Sequence, residues 1–189
     1  MTNQFDDNDA QEILAVHKLW WKCNRTGDIP AMATCFPTGM NYLMFNLNGH
    51  PYYGLDEKVA LWEWYSGKIE IARPDIRVVQ MAVEGRMGWV ASEGSFPTRL
   101  SGSEEGTGSK TWAITSHTYQ PSPIRATEVY RKDDGDGNEV WKIWHFHCSP
   151  HASADELRPG FGDSGFQRGL GYTPWPEQRH AATSPELRQ

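Results

Sequence analysis

Apolar residues along this chain fall into two regimes, with three- and four-residue spacing in helices up to Ser66, interrupted by a short pair of strands, and two-residue spacing from Asp75 on. From Asp6 to Arg25, the residues Ala10, Ile13, Leu14, His17, Trp20, Trp21 and Asn24 share one wide face of a helix. Asp6 to Asp9 place negative charge at the positive end of its dipole, and Thr26-Gly27-Asp28 ends it, glycine accepting the left-handed conformation of a C-cap. Asp28 then caps a second, short helix that opens at Ile29-Pro30 and closes at Pro37. Asn41 to Leu47 reads as a strand, Asn48-Gly49 as a turn and His50 to Tyr53 as a short strand. Leu55 to Ser66 is a third helix, with Leu55, Val59, Trp62 and Tyr65 as its inward stripe and Gly67 as its stop.

In the second regime, Ile76 to Glu84 and Met87 to Thr98 predict a hairpin around Gly85-Arg86. Ser101 to Ser109 is a polar loop. Thr111 to Gln120 and Ile124 to Lys132 read as strands separated by Pro121-Ser122-Pro123, and Glu139 to Ser149 as the last strand. Helices first and long strands afterwards make an α+β layout. Residues 1–150 form one domain on this reading. Residues 151–189, rich in Gly, Pro and charge, cannot build a core of their own. They read either as a disordered tail or as an arm whose Phe161, Phe166, Tyr172 and Trp175 dock on the domain or on a second subunit, and the spaced aromatics favour docking.

Composition narrows the partners. A net charge of −6 with no Lys/Arg cluster argues against nucleic acid, which needs a concentrated basic surface. No apolar run approaches the ~18 residues of a membrane span, and the acidic N-terminus lacks the pattern of a signal peptide. A cytoplasmic location is expected. Three cysteines without CxxC spacing indicate neither a disulfide framework nor a Cys-rich zinc site. Nine Trp, seven Tyr and seven Phe fill a core, or line a cavity for a flat ligand.

Three local signatures carry a resemblance. They are the helix ending in Thr26-Gly27-Asp28 with a short helix after it, Tyr53-Gly54-Leu55 leading into the third helix, and Arg125 to Arg131 followed, after a turn, by Trp141 to Ser149. Together they resemble the SnoaL-like and ketosteroid-isomerase-like branch of the nuclear transport factor 2-like superfamily over residues 8–150. The final strand is also similar to that of the calcium/calmodulin-dependent kinase association domain. The resemblance implies a cone-shaped curved antiparallel sheet wrapped on three N-terminal helices, an α+β barrel. It also implies a homodimer or higher homo-oligomer formed through the open sheet face. Function is not implied, because relatives range from isomerases and lyases to assembly domains.

Strand parity puts Ala126, Glu128 and Tyr130 on one face, and Trp144, Phe146 and Cys148 on one face of the last strand. The resemblance implies that Glu128 faces the cavity beside Phe146 and Cys148, where a desolvated carboxylate suits a general base or acid. The competing reading is a buried Glu paired with Lys or Arg. His17, Lys18 and His117 are its candidate catalytic partners; for His17 the alternative is a satisfied core histidine, and for Lys18 a solvated side chain. Trp20, Trp21, Tyr42, Lys58, Trp62, Phe96, Trp144, Phe146 and Cys148 are the candidate substrate-binding residues.

His145 and His147 share a strand face and raise the question of zinc or iron, but the same pattern marks the fold in relatives that bind no metal, and no metal is assigned. Asp134-Gly135-Asp136-Gly137-Asn138 imitates a calcium loop, yet Glu139 and His145 stand where Gly and Glu are required, so it reads as a hairpin turn. The expected function is a cofactor-independent acid/base enzyme of lyase, dehydratase, isomerase or cyclase type, acting on a bulky hydrophobic, aromatic small molecule. The alternative is a non-catalytic assembly domain or the small subunit of an aromatic-ring dioxygenase.

Overall fold

The computed structural model describes residues 7–103, 105–108 and 113–150. The arm 151–189 lies outside them. Helix α1 (Asp7–Thr26) buries Ile13, His17, Trp20, Trp21, Cys23 and Asn24, the face that the spacing predicts. Gly27 ends it at φ 65°, and the Asp28 carboxylate accepts from the Ala31 backbone N–H at 3.0 Å to open α2 (Ile29–Ala33). A 3-10 turn (Gly39–Asn41) leads to β1 (Leu43–Phe45) and β2 (Pro51–Tyr53), and α3 runs Gly54–Tyr65. Gly54 holds φ +76°, and a Cβ there would lie 2.9 Å from both the Gly39 carbonyl oxygen and the Met40 Sδ. Any larger residue would push α3 off the turn.

The remaining strands are β3 (Ile69–Ile71), β4 (Asp75–Glu84), β5 (Met87–Ser95), β6 (Thr98–Leu100), β7 (Thr107–Gly108), β8 (Ala113–Ile114), β9 (Pro123–Lys132) and β10 (Trp141–Pro150). Six of them form a sheet in the order β2-β1-β10-β9-β5-β4, with the helices on its inner face. One pairing departs from the antiparallel expectation: β1 runs parallel to β10, Met44 opposite Phe146. Register shifts at Val78/Gln80 and Ile143/His145 bend the sheet.

Two segments differ from the sequence reading. The strand expected over Thr111 to Gln120 is reduced to Ala113–Ile114 and a bridge from Gln120 to Thr98, residues 109–112 lying outside the described set. Ser116, Thr118 and Gln120 hydrogen-bond among themselves, which competes with a ladder. The strand expected to run through Thr98 breaks at Phe96-Pro97, proline having no N–H for the ladder. Beyond the break β6 turns away and pairs with β3, a strand too short to stand out by periodicity.

Candidate active site

Helices α1 and α3 cross the inner face of the sheet and leave an apolar slot between them. Its walls are Trp20 and Trp21 from α1, Lys58 and Trp62 from α3, and Phe146 and Cys148 from β10. Phe96 and Ile124 close its sides. Its water-accessible volume is about 40 Å³, room for a few waters or the thickness of a single ring. Asn24, Trp62, Tyr65 and Ile69 are shared with a wider groove of about 350 Å³ that continues past Ser66 and Glu70 to Tyr119. The site therefore has a tight aromatic interior and a polar antechamber.

Lys58 is 1% exposed, although it is a lysine on a helix whose inward stripe reads as Leu55, Val59, Trp62 and Tyr65. The helix is rotated from that reading. Gly54, Lys58, Leu61 and Tyr65 form the buried face, while Leu55, Val59 and Trp62 are half-buried. The Lys58 stem packs as an apolar chain, and its Nζ lies 3.3 Å from Met44 Sδ and 4.2 Å above the Trp20 ring. Burial holds this ammonium well below the usual lysine range and outweighs the opposing influence of the Cys148 and Cys35 thiols. Those thiols are themselves pushed up to about 12 by burial.

Glu128 occupies a separate, sealed position. It is completely buried, opposite Phe146 on β10 and Val90 on β5. His17 Nδ1 approaches its two oxygens at 2.9 and 3.1 Å, the Trp21 indole N–H donates at 3.1 Å, and the Tyr130 hydroxyl donates to Oε2. The carboxylate is therefore satisfied by three side chains rather than by the Lys or Arg of the competing reading. Burial, then the neighbouring Glu128 charge, raises the Tyr130 phenol well above its usual range, so it stays a donor. His17 Nε2 makes no hydrogen bond among the described residues. Parity places Tyr130 on the Glu128 face of β9, but its role as a donor emerges only from the packing.

The structure gathers most of the predicted site residues. Trp20, Trp21, Lys58, Trp62, Phe96, Phe146 and Cys148 line the slot. Glu128 and His17 meet each other but do not line it; Trp21, which does, donates its indole N–H to the carboxylate. Lys18 is exposed on the outer face of α1, one residue round the helix from His17, and His117 is exposed in the bend after β8, so neither joins the site. Tyr42 is buried against Phe36, ring centroids 4.4 Å apart, outside the lining. Trp144 is the extra residue of the β10 bulge. It turns away from Phe146 and Cys148 to stack under Arg131 at 4.0 Å and donate to the Asp133 carbonyl.

His145 and His147 flank Phe45 on the outer sheet face, His145 Nδ1 donating to the Leu43 carbonyl at 3.1 Å. Among the described residues no three His, Cys, Asp or Glu side chains converge as a metal site, and no helix is long and apolar enough to cross a membrane. The polar slot residues Asn24 and Asn46 gave no sequence signal beyond the place of Asn24 on the inward face of α1.

No protein-family model matches the sequence, and none of the curated proteins matches it significantly. Solved structures do match. A nuclear transport factor 2-like superfamily protein from Salmonella enterica serovar Typhimurium superposes with a TM-score of 0.60 at 16% identity, over 79% of this chain and 95% of that one. A ketosteroid isomerase-like protein from Erwinia carotovora atroseptica gives 0.58 at 11% identity, over 75% and 95%. A proposed dehydratase of the nuclear transport factor 2-like family from Streptomyces avermitilis gives 0.57 at 15% identity, over 78% and 99%. This chain has the nuclear transport factor 2-like α+β cone fold, a fold that includes dehydratase- and isomerase-like proteins.

Proposed function

We propose that this protein is a cofactor-free enzyme of the lyase, dehydratase, isomerase or cyclase type, moving protons on an aromatic small molecule held in the slot. The observation that carries the reading is Trp21, which lines the slot and also hydrogen-bonds to the Glu128 carboxylate. With three donors already on it, Glu128 is a positioning residue. It favours the His17 tautomer with the proton on Nδ1, which leaves the Nε2 lone pair as the general base. His17 sits one ring behind the slot, 6.4 Å from Trp21 between centroids. Displacement of the Trp21 ring by substrate is the movement that brings the two together. The narrow interior suits one flat ring and the antechamber a polar substituent, which narrows the expectation of a bulky substrate to a ring with a polar arm.

The test uses a panel of monocyclic aromatics carrying polar arms beside rigid polycyclic compounds of steroid size. The first group should raise the melting temperature of the wild-type chain through binding, and the second should not. Against any compound turned over, His17→Gln should lower kcat by about 10²-fold or more, a typical contribution of a general base, while slot binding survives. Turnover at the wild-type rate in that variant removes His17 from the mechanism. A chain that binds no panel member supports the alternative of a non-catalytic assembly subunit.

A second part of the proposal is self-association. Phe45 on β1 is 45% exposed between His145 and His147, an apolar centre on the outer sheet face that suits a homodimer or higher homo-oligomer.

A further inference from the structure

We propose that Lys58 is a nucleophilic amine that captures the carbonyl carbon of a small aromatic aldehyde or ketone as a Schiff base in the slot. The idea rests on reading the slot as a small-molecule site, and it needs neither Glu128 nor His17.

The surroundings of the amine carry it. Three slot residues surround Nζ: Met44, with its sulfur at 3.3 Å, Trp20, with its ring centroid at 4.2 Å, and Trp62, with its ring centroid at 5.4 Å. Phe36 adds a fourth contact at 5.7 Å. Among the described residues no oxygen accepts a hydrogen bond from this amine and no carboxylate pairs with it. An ammonium has three protons to place, and a thioether and ring faces satisfy them poorly. The neutral amine suits the site, and burial shifts the group that way. A neutral amine in an apolar pocket is a nucleophile toward carbonyl groups.

The slot supplies two further requirements. Its aromatic walls hold a ring flat. In addition, the indole N–H groups of Trp20 and Trp62 are buried without an acceptor among the described residues, on rings that line the slot. They can donate to the oxygen that becomes negative during addition.

The step balances without an oxidant or reductant. The Nζ lone pair forms a bond to the carbonyl carbon, and the C=O π pair moves onto oxygen. That oxygen takes a proton from the nitrogen to give a carbinolamine. The nitrogen lone pair then expels the hydroxyl, which leaves as water with the remaining N–H proton, and a C=N bond is formed.

Benzaldehyde is the probe, with sodium cyanoborohydride to reduce the imine irreversibly, followed by peptide mass spectrometry of the full chain near neutral pH. The benzyl adduct on Lys58 should exceed that on exposed Lys18 and Lys22 by about tenfold or more, since each unit of lowered pKa raises the neutral fraction about tenfold. Benzyl alcohol, a ring of the same size without a carbonyl, should suppress the Lys58 adduct and leave the two surface sites unchanged. Both readouts use the unmodified chain, so they stand whether or not Lys58→Met folds; where it folds, the adduct is lost.

A Lys58 adduct no greater than those on Lys18 and Lys22, or one untouched by benzyl alcohol, overturns the proposal. If benzyl alcohol raises the melting temperature but Lys58 stays unmodified, the amine chemistry fails while the slot survives. If Lys58 is modified while His17→Gln keeps full turnover, the proton-transfer reading fails alone.

Discussion

Two buried titratable residues, Lys58 and Glu128, meet opposite solutions within one core. Glu128 gathers three donors, so its removal would orphan an imidazole, an indole and a phenol together. Among the described residues Lys58 has no oxygen or carboxylate partner, and the sign of its effect on stability follows. When the chain unfolds, Lys58 returns to the ordinary lysine range and binds a proton that the folded state disfavours. Between the depressed folded value and the ordinary one, the unfolded state holds the extra proton, so stability rises as pH rises through that window. Lys58→Met keeps the volume and removes the amine. Its melting temperature at neutral pH should exceed wild type by a few degrees, on the order of 1 kcal/mol, and the upward slope toward alkaline pH should flatten. A Lys58→Met chain that melts lower than wild type at neutral pH would show that the buried amine is stabilising.

Among the elements, α1 depends on its tie to the sheet. Asp9 in its first turn accepts from Lys132 Nζ on β9 at 2.7 Å and from the Trp141 indole on β10 at 2.8 Å. The Lys132 hydrogen bond, followed by that of Trp141, lowers the Asp9 pKa. A carboxylate depressed on folding stabilises fully above its unfolded value and loses that contribution as pH falls through the folded value. Asp9→Asn should therefore cost on the order of 1 kcal/mol near pH 6, with the gap to wild type closing as pH falls toward about 2. Urea unfolding at the two pH values checks it; a gap that persists in acid would mean that the amide geometry matters rather than the charge. The β10 bulge sets which side chains of that strand face inward. One added residue, Trp144, lets Trp141 and Ile143 on one side of it and Phe146 and Cys148 on the other all face inward, although strict alternation cannot place all four there.

Over the whole molecule, the sheet has two unlike faces. The inner face carries the helices, the slot and the sealed Glu128 network, while the outer face carries Phe45, His145 and His147. Phe45→Glu should leave the slot untouched and shift the protein to a smaller species in light scattering coupled to size exclusion. A wild-type chain that is already monomeric at micromolar concentration would remove that face as an interface. The charge should act locally, since position 45 lies on the far side of β1 from Met44, the slot residue beside it.

The sequence by itself determined the elements whose faces repeat. Helical spacing marked the buried side of α1, turn chemistry placed Gly27 and Asp28, and parity put Glu128 on one face of β9 with Ala126 and Tyr130, a face that the resemblance turned inward. Local patterns of this kind are written in neighbours a few positions apart. Tertiary packing decided the rest: the rotation of α3 that buries Lys58, the parallel pairing of β1 with β10, the β3–β6 pair, and the partners of Glu128, which come from residues 17, 21 and 130. Whether that carboxylate faces a cavity or three donors depends on His17 and Trp21, which arrive from α1 more than a hundred residues away to join Tyr130 on its own strand, and no periodicity along β9 encodes that meeting.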